Sequence, residues 1–167
     1  GQTVLDLAAG VSPDSLTTVF SVSKALSALA IAKLVGDGKL NLEEKVAYYW
    51  PEFAANGKTE ITVRQMLSHQ AGLISTDPLI TVDMFHDDHA AAEALAKQKP
   101  LWRLGAGFGY HGITIGPLMS ELCFRITGKT MQQFYDSEIA AGQTATQIVA
   151  ELKDAEADED LLLLQTL

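Results

Sequence analysis

The chain has 167 residues, 47% of them hydrophobic, which suits one domain with a real core and excludes a disordered chain. Its net charge of −9 argues against a nucleic-acid partner, which demands a basic face. Cys123 is the one cysteine, so there is no internal disulfide and no thiolate metal cluster, and no apolar run approaches the ~20 residues that span a membrane.

The charge is uneven. Glu151 to Asp160 carries six acids against Lys153, a net −5 of the −9, and reads as a solvated face. The chain begins at Gly1 without a leader pattern, so this N-terminus reads as not the gene's start. The compartment is left open, with the cytoplasm favoured by the lack of a leader.

In chain order, Thr3 to Leu7 reads as a short strand, Val11 to Asp14 as a turn, and Thr17 to Phe20 as a second β-favouring stretch. Ser23 to Val35 is apolar almost all round, the pattern of a buried helix, and Gly36-Asp37-Gly38 stops it. Asn41 is placed to cap a further helical segment, with Glu43 and Glu44 in its first turn; Pro51 breaks the stretch Tyr48 to Phe53, and Asn56-Gly57 is a turn. Thr62 caps a short helix, Val63 to Ser68. Thr76 to Val82 reads as loop, and Asp87 or Asp88 caps a helix through Lys97. Gly105 to Gly109 is a glycine-rich loop. Ile113 to Ile126 is an amphipathic helix ended by Thr127-Gly128, and Thr130 caps the next, through about Ala140. Gln143 to the end reads as helical and closes on Leu161 to Leu164, an apolar patch suited to packing back or to self-association.

Ser21-Val22-Ser23-Lys24 is where chemistry enters. Burial disfavours an ammonium, and so does the positive end of a helix dipole, yet a lysine stands in the first turn of the apolar helix. Residues three apart neighbour one another on a helix, so Lys24 can reach the Ser21 hydroxyl. A desolvated lysine can serve as a general base, and the backbone N–H of Ser21 at the helix start can face a developing oxyanion. Taken alone the spacing is common, and a capping serine with a snorkelling lysine also accounts for it.

The surrounding residues extend the pattern. Phe20-Ser21-Val22-Ser23-Lys24-Ala25-Leu26 resembles the first motif of the serine β-lactamase and penicillin-binding-protein superfamily, nearest its class C-like esterase branch. Leu34 to Leu42 resembles the family's step from helix through a small turn to L-x-L. Ile61-Thr62-Val63-Arg64-Gln65-Met66-Leu67-Ser68-His69-Gln70-Ala71-Gly72-Leu73 resembles its T-I-R-x-L-L-x-H-x-S-G-L signature. Gly109-Tyr110-His111-Gly112 resembles its Tyr-x-Asn or Tyr-x-small motif, and Phe124 to Lys129 its V-T-G-K stretch. These blocks fall in family order across residues 1–141, taken as a partial β-lactamase-related domain. Residues 142–167 form an acidic segment without resemblance.

The resemblance implies an α/β, β-lactamase/transpeptidase-like fold, an antiparallel sheet flanked by helices, of which this chain supplies mainly the helical part. It implies a serine hydrolase forming an acyl-enzyme on small esters or related acyl compounds. Ser21 is then the nucleophile, Lys24 its base and Tyr110 the proton shuttle. His111, Gly112 and Trp102 are the candidate substrate-binding residues. No metal or organic cofactor is implied.

The departures matter. Gly112 stands where lactam-hydrolysing members place an asparagine that holds the lactam side chain, and Leu104 stands where a proline is usual. The third motif, Lys-Thr-Gly or a variant, which supplies a second oxyanion N–H from a strand, is missing; Gly128-Lys129-Thr130 has the wrong order. The usual Pro-Leu-Gly after Glu138-Ile139 is missing too. A fragment, a truncated product or a layer supplied by another chain each fits. The other readings are an inactive truncated homologue acting as a binding or assembly module, with homo-oligomerisation, and β-lactam or D-Ala peptide binding at Ser21. His86-Asp87-Asp88-His89 lacks a distant third ligand and reads as a helix start rather than a metal site. His69 reads as a hydrogen-bonded structural histidine, and Trp50 as a packing anchor.

Overall fold

The computed structural model describes residues 9–12, 15, 18 and 20–141. The strand read at Thr3 to Leu7 and the C-terminal segment with its acidic run and leucines lie outside the described residues, as do Thr17 and Val19. Phe20 does not end a strand. It opens a single 3-10 turn, Phe20–Val22, that leads directly into helix α1, Ser23–Gly36.

Among the described residues six further helices follow: α2 (Val46–Tyr49), α3 (Val63–Leu67), α4 (Val82–Phe85), α5 (Asp88–Lys97), α6 (Ile115–Thr127) and α7 (Met131–Tyr135). A 3-10 segment, Pro51–Gly57, joins α2 toward α3, and a π turn, Asp136–Ala140, continues α7. Among the described residues the β pairing is one antiparallel bridge, Lys45 with Thr62, where Val46 N–H donates to Ile61 O at 3.0 Å.

The helix ends follow their sequence signals. Thr62 and Thr130 each accept from the backbone three residues on, while Gln65 and Gln133 reach back to the capping residue's own N–H, two complete capping boxes. Asp87 caps α5 by accepting from His89 and Ala90. Gly128 ends α6 with φ 72°, a conformation that costs glycine nothing. Asn41 behaves differently from expectation. Its Oδ1 accepts from Glu43 N–H at 2.9 Å in a turn, and the helix starts only after Lys45. The backbone between them is used by the bridge to Thr62, which a helix would not allow. α4 begins at Val82, where the stretch read as loop ends; Thr81 caps a turn too short to show a period.

α6 is the centre of the fold and packs against α1, α2, α5 and α7. Ala30, Ile31 and Leu34 of α1, Leu95 of α5, and Ile115, Leu118, Met119 and Leu122 of α6 share one core with Trp50, Phe53 and Met66. The all-round burial expected of α1 holds only for its second half. Ala28, Ala30, Ile31 and Leu34 are buried, whereas Val22 and Leu26 are exposed. Among the described residues the first turns of α1 thus stand clear of the helical layer.

Two buried ionic groups tie the layer together. Glu121 of α6, 3% exposed, accepts from Arg125 Nε at 2.6 Å and meets His89 Nδ1 of α5 at 2.7 Å, while Arg125 also reaches Glu52. This raises the His89 pKa, chiefly through the Glu121 hydrogen bond. Lys58 is fully buried without a carboxylate partner in its hydrogen bonds. Its ammonium donates to Ala55 O at 2.7 Å and Gln98 O at 2.5 Å, clamping the 3-10 segment to the end of α5.

Burial pushes Lys58 down from the usual 10.5 to about 8. Between those values the unfolded chain holds the proton and the folded chain has released it, so stability rises with pH across this window. The gap is worth about 3 kcal/mol at most. Denaturant unfolding at pH 7 and pH 10 should therefore show a gain in the parent that Lys58→Met lacks. Parallel pH dependence in the two chains would mean that Lys58 carries no such burial cost.

Candidate active site

The 3-10 turn before α1 lifts Ser21 out of the helix. Phe20 has φ 47°, in the left-handed region that an aromatic residue adopts only under constraint, and Ser23 Oγ donates to Phe20 O at 2.7 Å to close the turn. Ser21 is exposed at its tip. Lys24, one turn on and half-buried, directs Nζ to Ser21 Oγ at 3.2 Å. From 89 residues away, Tyr110 donates its hydroxyl to the same oxygen at 3.1 Å. The Lys24 ammonium also lies 5.5 Å from the centroid of the Tyr110 ring. Two groups read from the sequence thus converge on the hydroxyl oxygen of a third. The Ser21 hydrogen bond, and then Lys24, hold the Tyr110 phenol below its usual range.

Tyr110 is carried by a loop laid over Trp102. Gly107 and Gly109 lie on the indole, and a Cβ at Gly109 would come within 2.5 Å of its ring, closer than atoms can pack. The indole is held in turn by Nε1–H donating to Gln70 O at 3.2 Å. His69 fixes the loop from the other side. It takes φ 62°, accepts Gly109 N–H at its carbonyl (3.2 Å) and accepts His111 N–H at Nδ1 (3.1 Å).

His111, read from the sequence as a substrate-binding residue, is fully buried. Its Nε2 accepts from Leu73 N–H at 2.9 Å and its Nδ1 donates to Gly109 O at 2.6 Å, so both ring nitrogens are spent on the backbone. Burial depresses its pKa to about 4. It therefore supports the loop, and neither ring nitrogen is left for a substrate. Trp102 is half-buried under the loop. Gly112 leaves room for the Tyr110 ring, since a Cβ there would sit 3.1 Å from Tyr110 Cε1.

His89 spends Nδ1 on Glu121, and among the described residues no group of three His, Cys, Asp or Glu is disposed to hold a metal. The pairing of His69 with His111 is absent from the sequence reading, because a separation of 42 positions leaves no spacing to recognise. Phe108, on the same loop as Tyr110, is exposed, with its ring 5.9 Å from that of His69.

The family described as Beta-lactamase matches residues 1–158. The chain belongs to the beta-lactamase family. This beta-lactamase-family chain is 39% identical over 129 residues to the esterase/beta-lactamase LipL of Mycobacterium tuberculosis, covering 77% of this chain and 30% of that protein. It superposes on EstA of Arthrobacter nitroguajacolicus with TM-score 0.79 and 49% identity, over 83% of this chain and 38% of the other. A family VIII carboxylesterase aligns with TM-score 0.70 and 31% identity, over 77% of this chain and 38% of that one. The chain thus spans about a third of the length of these relatives. Its fold is beta-lactamase/transpeptidase-like, and the described residues are almost wholly the helical part. Among them no helix is long and apolar enough to cross a membrane.

Spectrophotometric titration at the phenolate band should find one tyrosine ionising below the usual ~10. That step should vanish in Tyr110→Phe and move upward in Ser21→Ala; an unchanged profile in both variants would remove the Ser21–Tyr110 bond. Gly109→Ala should destabilise the fold by about 1–3 kcal/mol through the clash with Trp102. Gly107→Ala, whose Cβ meets the indole at an ordinary 3.8 Å, should be much milder. Equal melting temperatures for the two variants would contradict the stacked loop.

Proposed function

We propose that this chain carries the acyl-transfer site of a serine hydrolase acting on small carboxylic esters. The observation that carries the reading is the convergence of Lys24 Nζ and Tyr110 Oη on Ser21 Oγ, at 3.2 and 3.1 Å. Ser21 Oγ attacks the ester carbonyl carbon while its proton passes to Lys24 in the neutral amine form. Tyr110 relays that proton to the alkoxide as the C–O bond of the ester breaks, leaving an acyl-serine. Water, activated by the same pair, then releases the acid and restores the Ser21 hydroxyl.

The lowered Tyr110 pKa supports this role, because a phenol that gives up and regains a proton more readily is a better relay. The backbone N–H of Ser21 is suited to receive the developing oxyanion. The carboxylesterase title of one similar structure supports an ester substrate, and Gly112, which offers no side-chain amide to hold a lactam side chain, favours an ester over a lactam.

Intact-mass spectrometry after treatment with a fluorophosphonate probe should show one adduct in the parent and none in Ser21→Ala. Hydrolysis of p-nitrophenyl butyrate should fall by about 10³-fold or more in that variant. Ser21→Ala turning over the ester at the parent rate would sink the proposal. An adduct without turnover would point to acyl trapping instead of hydrolysis.

A further inference from the structure

Tyr110 sits in a loop with five exposed neighbours before it, Leu104 to Phe108, yet its hydroxyl is aimed at one oxygen. What holds it is a pair of buried histidines. His69 accepts the N–H groups of both residues that flank Tyr110: Gly109 at its carbonyl and His111 at its imidazole Nδ1. His111 closes the arrangement by bonding Gly109 O through Nδ1 and Leu73 N–H through Nε2. The two rings lie 5.4 Å apart, and the Tyr110 ring rests edge-on to His69 at 5.0 Å.

We propose that His69 is a positioning residue for Tyr110, and that it does this work as one half of a neutral imidazole pair with fixed, opposite tautomers. This rests on the ester-hydrolase reading of Ser21. The tautomers follow from the bonding. His69 Nδ1 faces a backbone N–H and must be bare, so its proton is on Nε2. His111 Nε2 faces the Leu73 N–H and must be bare, so its proton is on Nδ1. Adding a proton to either ring sets N–H against N–H and breaks the hold on one side of Tyr110.

The surroundings favour the neutral pair. His69 is 1% exposed, and burial first, then Lys24 of α1 while it is protonated, holds the imidazole below its usual pKa. Among the described residues the other titratable groups facing the pair are Tyr110 and the two rings themselves. Among the described residues His69 Nε2 has no hydrogen-bond partner. The free energy of burying that unpaired N–H is tolerated because Nδ1 and the main chain on the same residue fix the loop. The left-handed backbone of residue 69 narrows its replacements. Asparagine adopts that conformation readily, and its Oδ1 can accept the His111 N–H in place of Nδ1.

The test compares His69→Ala and His69→Asn in the whole chain, with rates expressed per fluorophosphonate-titratable Ser21. His69→Ala should lower kcat for p-nitrophenyl butyrate by about 10–100-fold, with KM within about twofold, because the relay is misplaced and the substrate site is not. His69→Asn should restore kcat to within about threefold of the parent. A merely structural histidine would lower the titratable fraction and leave kcat per site alone. Parental kcat in His69→Ala overturns the proposal, and so does a His69→Asn as slow as His69→Ala. Should His69→Ala fail to fold, parental kcat in His69→Asn sustains it and a slow His69→Asn overturns it. A long-range ¹⁵N–¹H spectrum of the histidines gives a readout independent of catalysis. The proton should be on Nε2 of His69 and Nδ1 of His111, and the reverse assignment refutes the pair. If Ser21→Ala hydrolyses the ester like the parent, the catalytic reading falls, and this spectrum alone decides the histidine assignment.

Discussion

The packing of α1 on α6 determines where two distant pieces of chain can meet. α1 carries Ser21 and Lys24 at its start, and the loop that carries Tyr110 runs directly into α6. Closing that 89-residue separation costs conformational entropy that two hydrogen bonds to Ser21 cannot repay. The shared core of Ile31, Leu34, Leu118 and Leu122 offsets it, and the site inherits its geometry from that apolar contact. The polar groups then refine what the core has placed.

The electrostatics of the site are one-sided. Lys24 stands by Ser21, a buried pair of imidazoles lies behind Tyr110, and the buried carboxylate Glu121 is committed to His89 and Arg125 on the far side of α6. No carboxylate hydrogen bond to Lys24 is present among the described residues to pin its charge. The phenol of Tyr110 offers a partner that can take either role in a proton transfer.

Much of the helical layer is readable from sequence because its signals are local. Thr62, Asp87, Thr130 and Gly128 mark helix ends by their own side chains or backbone freedom, and the structure uses each as such. The closeness of Ser21 and Lys24 is equally local, fixed by one helical turn. Tyr110 is legible only through family resemblance, since no periodicity connects it to residue 21. The hold of His69 on His111, and of Lys58 on Ala55 and Gln98, carries no sequence signal at all. Each is a side chain satisfying backbone groups across a tertiary contact, and only the folded chain sets that pairing. Asn41 shows the opposite failure. Its capping chemistry is correctly read, but a long-range bridge claims the backbone that the helix would have used.

Trp102 has an optical consequence. Its indole lies beneath Gly107 and Gly109, and the His111 ring stands 6.2 Å away. The chain's other tryptophan, Trp50, is sealed in the core at 1% exposure beside Phe53. One indole is therefore a steady emitter, while the other reports on the loop, its intensity set by how closely the glycines and the imidazole press on it. The protein contains its own fluorimeter for the position of Tyr110, readable without a label, a substrate or a turnover.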